Sequence, residues 1–115
     1  MFFPALFALT VGVGMIGQWV VSYQTGKIPE LKTEPIRIGF HIAAEMCTAA
    51  ALIAGGILLM VGVPAGRPLY LVASGMLFYT CIVSPGYFAQ QGNWAWLGMF
   101  SALITTGIIA VFFVL

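Results

Sequence analysis

Arg37, His41 and Glu45 recur at i, i+4 and i+8, so on a helix they fall along one face. They lie in one of the most apolar stretches of the chain. Arg37 can keep its head at a membrane interface, but Glu45 is ~12 Å further along the helix axis at ~1.5 Å per residue. An ionised carboxylate at that depth of a bilayer is expensive, so Glu45 must be neutral, paired with His41 or Arg37, or facing a wet cavity. An imidazole one turn from a carboxylate can pass a proton or bind a polar ligand group. The competing reading is a polar lock that only holds two helices together.

Three other stretches add polarity. Thr10, Gly14, Gln18 and Ser22 recur every fourth residue, a narrow stripe of small and polar groups on an otherwise apolar helix. Gln18 is about as far from the first connection as His41, so the two are expected to meet. Gly12, Gly14 and Gly17, with Ala50, Ala51, Ala54, Gly55 and Gly56, read as contacts that let helix backbones approach. Tyr79, Cys81 and Ser84 close the third apolar stretch, and Gln90, Gln91, Asn93, Trp94 and Trp96 open the fourth. Antiparallel threading brings all of these to one end. The expected site is an aromatic-rimmed pocket in one leaflet, with Glu45, His41, Arg37, Gln18, Tyr79, Trp94 and Asn93 as its candidate residues. Tryptophan and tyrosine also gather at membrane interfaces without any ligand. Cys47 and Cys81 have no metal-binding spacing and read as buried thiols. One histidine offers no recognisable ligand set, so neither a metal nor another cofactor is expected.

These residues must be positioned by membrane helices. The 115-residue chain is 62% hydrophobic and 6% charged, with four basic and three acidic side chains. Soluble domains are about a quarter charged, so lipid is the expected solvent for most of this surface. A net charge of +1 leaves no basic patch for nucleic acid. Four stretches can span a hydrocarbon layer, which takes ~20 residues: about 4–23, 36–63, 68–84 and 93–115. The first lacks a basic leader and is expected to be retained. The third is short for a span. A charged loop at 24–35 holds Lys27, Glu30, Lys32 and Glu34, while 62–68 and Pro85–Gly92 read as tight turns. Short turns make successive helices antiparallel neighbours. The expected fold is therefore all-α, a single domain forming an antiparallel four-transmembrane-helix bundle. Lys27, Lys32 and Arg37 outweigh Arg67, which puts the first and third loops inside and both termini outside. A prokaryotic cytoplasmic membrane is the expected location.

The run Phe40-His41-Ile42-Ala43-Ala44-Glu45, continuing through Thr48-Ala49 to Gly55-Gly56, resembles small four-helix membrane proteins of the DoxX-like type. With the preceding Pro-Glu-Leu-Lys-Thr-Glu-Pro loop, the resemblance covers about a third of the chain. His-x-x-x-Glu in a membrane helix is also similar to the motif of the emopamil-binding sterol-isomerase group, which implies a proton shuttle in a lipid-lined cavity. A lone membrane glutamate in a short chain is similar to the small multidrug-resistance transporters, although theirs lies in the first helix.

These readings lead to one expected function. The chain binds or transports a small apolar or amphipathic molecule, a cation among them, or an ion, with Glu45 and His41 at the polar centre. A path through both leaflets would need a homodimer, because the far end of the bundle is apolar. An accessory or assembly subunit of a membrane complex is the second reading. A membrane enzyme using His41 and Glu45 as acid and base is the third, and the balance leans away from catalysis.

Overall fold

The computed structural model describes residues 2–115, and all of its long elements are helices. They are α1 (Phe2–Gln24), the single turn α2 (Glu30–Thr33), α3 (Pro35–Met60), α4 (Gly66–Gln90) and α5 (Trp94–Val114). The four long ones have 21 to 26 residues, about 31 to 39 Å at 1.5 Å per residue, enough to cross a bilayer. Each of the four is apolar enough to do so. They pack antiparallel in chain order, with α1 closing the bundle against α5. The protein is a four-helix integral membrane bundle.

Of the eight ends of the four long helices, one departs from the sequence expectation by more than about three residues. The third span does not stop at Ser84; α4 continues through Pro85 to Gln90. Proline has no N–H to give the Cys81 carbonyl, yet membrane helices tolerate that loss where neighbouring groups compensate. The helix stops at Gly92 instead. There φ is +72°, the Asn93 N–H donates to the Phe88 carbonyl at 2.9 Å and the Gly92 N–H to that of Ala89 at 3.0 Å. This is a glycine-terminated C-cap. The connection between α3 and α4 uses the same device at Gly62 (φ +80°).

Burial is lopsided along the bundle. In α1 the buried residues are Pro4, Ala5, Ala8 and Gly12, all in its first half. In α3 they run from Glu45 to Gly56, and in α5 Gly107, Ala110 and Val114 follow Phe100. Antiparallel threading collects the small ones among them, such as Ala5, Ala8, Gly55, Gly56, Gly107 and Ala110, at the end where α1 begins and α5 ends. The helices close tightly there because little side chain separates them. A Cβ on Gly56 would stand 3.2 Å from the Ala5 carbonyl, and one on Gly55 3.1 Å from the Tyr70 backbone. Tyr70 is fully buried and its hydroxyl donates to the Pro4 carbonyl at 2.9 Å. Such a bond contributes about 1 kcal/mol and ties α4 to the start of α1.

Gly12 belongs to this seam, since its Cβ would meet Ile53 Cγ1 at 2.7 Å and the Ala49 carbonyl at 2.9 Å. Gly14 and Gly17 do not, because nothing lies within 4 Å of the Cβ that either would carry. Ala50 and Ala54 are exposed as well. The reading of Gly14, Gly17, Ala50 and Ala54 as packing positions is therefore corrected. At ~100° per residue, Gly12 and Gly14 point ~200° apart and cannot both face α3.

Candidate functional site

At the other end the helices hold apart. A cavity of about 1140 Å³ lies there between the four helices. Each helix supplies a wall. α1 contributes the whole stripe of Thr10, Gly14, Gln18 and Ser22, together with Met15 and Trp19. The stripe lines the cavity; it does not seal a helix contact. Gln18 Nε2 donates to Ser22 Oγ one turn away at 3.3 Å. His41 is met by Trp19, edge to face at 5.7 Å, whereas Gln18 shares only the cavity with it.

Glu45 is the buried acid of this wall, 5% exposed. Its Oε1 lies 3.5 Å from His41 Nε2 and accepts from Thr80 Oγ1 at 3.3 Å. Ser84, one turn beyond Thr80, lines the same cavity. The His41 and Thr80 contacts both fall on Oε1. Both are longer than the ~2.7–2.9 Å of a strong charge-assisted hydrogen bond. His41 keeps 40% of its side chain exposed. Arg37 also lines the cavity, but its guanidinium pairs with the exposed Glu34 at 2.9 Å and not with Glu45.

α4 and α5 complete the enclosure with Phe88, Trp96 and Phe100. The rings of Phe88 and Trp96 stack at 4.6 Å, and Phe100 leans on both. Asn93 lies at the rim. The remaining two candidates lie elsewhere. Trp94 is 68% exposed and Tyr79 71% exposed, both on the outer surface. Trp96 and Tyr87 take the cavity-facing places instead. Thr80 escaped the sequence reading, although Leu77, Cys81, Ser84 and Phe88 recur at helical spacing beside it and mark the inner face of α4. Cys47 is exposed and Cys81 buried, and both thiols are free. Among the described residues no group of three or more His, Cys, Asp or Glu side chains is placed to hold a metal.

The mouth of the cavity faces the first connection. Lys27, Ile28, Glu30 and Glu34 fold across it, and Ile28 is buried beneath them. Charge thus collects at the rim, hydroxyls and one carboxyl at mid-depth, and apolar residues such as Val11, Leu77 and Leu103 further in. This gradient suits a molecule with a polar head and an apolar body.

A family profile described as a domain of unknown function (DUF8058) matches residues 3–115, so the chain belongs to that family. No curated protein and no solved structure matches it. Neither the DoxX-like nor the emopamil-binding resemblance finds support in these comparisons.

Proposed function

We propose that this member of the DUF8058 family binds a small amphipathic molecule from the membrane, with Glu45 and His41 holding its polar end. The observation that carries the reading is the one-ended cavity with Glu45 buried in its wall. Its volume is on the scale of small-molecule sites, and apolar walls with a few converging polar groups are what such sites present. Transport is the extension of this reading. The tight seam of Ala5, Ala8, Gly55 and Gly56 bars a path through one subunit, so movement across the membrane would require a second copy or a rearrangement. An accessory subunit needs only an outer face and gives no reason to keep a carboxyl group inside.

The test uses the tryptophans. Trp94→Phe removes the exposed indole and leaves Trp19 and Trp96, both on the cavity wall. A brominated single-chain amphiphile titrated into vesicles should quench them to a plateau, and Gly14→Leu, which fills the cavity, should weaken that binding by about tenfold, or ~1.4 kcal/mol. Quenching that rises linearly with bromine content in both proteins would reject the reading.

Orientation belongs to the same proposal. Lys27, Lys32 and Arg37 put the cavity mouth on the inner side, with both termini outside. Reporter fusions at Met1 and Leu115 should both be active only as outside reporters. Opposite sides for the two ends would reject the four-span arrangement itself.

A further inference from the structure

Glu45 faces two spaces. Besides the central cavity, it lines a groove of about 320 Å³ on the outside of the bundle between α3 and α4, with Ala44, Cys47, Met76 and Tyr79. His41, Glu45, Thr80 and Val83 are common to both spaces. The partition between the lipid-facing surface and the interior is therefore one side chain thick, and its polar core is the His41–Glu45–Thr80 contact. Those contacts, at 3.5 and 3.3 Å, are long enough to be exchanged for others. The water-facing mouth is a poor entrance for an apolar tail, because Lys27, Glu30, Glu34 and Arg37 line it. A tail already in the bilayer meets no charge on the outer route until its head reaches Glu45.

We infer that the ligand enters sideways from the lipid through the α3–α4 groove, and that it is a single-chain amphiphile with an amine head. The inference rests on the binding reading above and adds its route and chemical class. Glu45 is the acid of the membrane-spanning stretches, and the Thr80 hydroxyl beside it can accept from a donor-rich head. An ammonium group can replace the loose His41 and Thr80 contacts at the carboxylate. A carboxylate or phosphate head would meet like charge.

The experiment uses the full chain carrying Trp94→Phe in phosphatidylcholine vesicles. The probes are a tail-brominated octadecylamine and the matching brominated octadecanoic acid. The amine should reach half-maximal quenching of Trp19 and Trp96 at a mole fraction at least about tenfold lower than the acid. Ala44→Phe and Cys47→Phe, both at exposed positions of the outer groove, should slow the approach to that plateau about tenfold or more when the amine is delivered from protein-free vesicles. Equal preference for the acid overturns the assigned head group. Wild-type rates in both phenylalanine variants overturn the lateral route and leave binding in place. Saturation by neither probe overturns the binding reading itself.

Discussion

Leucine in place of Gly12 is expected to lower the thermal midpoint in detergent by roughly 10 °C or more, while leucine at Gly14 leaves it within a few degrees of wild type. The first substitution drives a Cβ to 2.9 Å from the Ala49 carbonyl. That atom is backbone on a neighbouring helix and cannot rotate away. Overpacking a seam of this kind costs about 3 kcal/mol, which for a chain of this length corresponds to roughly 10 °C. The second substitution projects into the cavity, where nothing lies within 4 Å of the new Cβ. The two glycines are two residues apart in the same helix, with the same intrinsic propensity cost relieved in each variant. A difference between them therefore reports tertiary surroundings alone. Equal losses would mean that α1 is rotated relative to this description and that its polar stripe is packed against a neighbour.

Glu45→Gln separates a binding role from a structural lock. Glutamine keeps the size of the side chain and can still accept from Thr80, so it removes charge and little else. With Oε1 3.5 Å from His41 Nε2, the pair is too loose to dominate folding, and stability should fall by less than about 1 kcal/mol. Binding of an amine-headed amphiphile should weaken about 10- to 100-fold, since a hydrogen bond to a charged group is worth ~1.5–3 kcal/mol. A lock predicts the reverse. Breaking a tight buried ion pair costs about 3–5 kcal/mol and would leave ligand affinity unchanged, with His41→Ala destabilising to match.

Much of this arrangement is legible in the sequence because helix geometry is regular. The four-residue recurrence of Thr10, Gly14, Gln18 and Ser22 marks a polar face, and that face lines the cavity. The spacing of Arg37, His41 and Glu45 puts them on a common side of α3, and all three line the cavity as well. What composition cannot supply is rotation about each axis. Trp94 and Trp96 are both aromatic residues at a helix start, yet ~200° separates them, and only Trp96 turns inward to stack on Phe88. Tyr79 and Thr80 differ by ~100°, which is enough to send one to the lipid face and the other to Glu45. The end of α4 was hidden for another reason. Pro85 reads as a stop by the rules of soluble helices, whereas within a membrane the surrounding helices hold the backbone in place beyond it.

The cavity itself is the central claim, and a crystal structure of the protein purified from its own membrane into a lipidic phase tests it most directly. Elongated density is expected between the four helices, its polar end against Glu45 and Thr80 and its tail running toward Leu103. A bundle in which α1 and α5 close onto α3 and α4 along their full length, bringing Gln18 and Trp96 into van der Waals contact with Thr80, would contradict it.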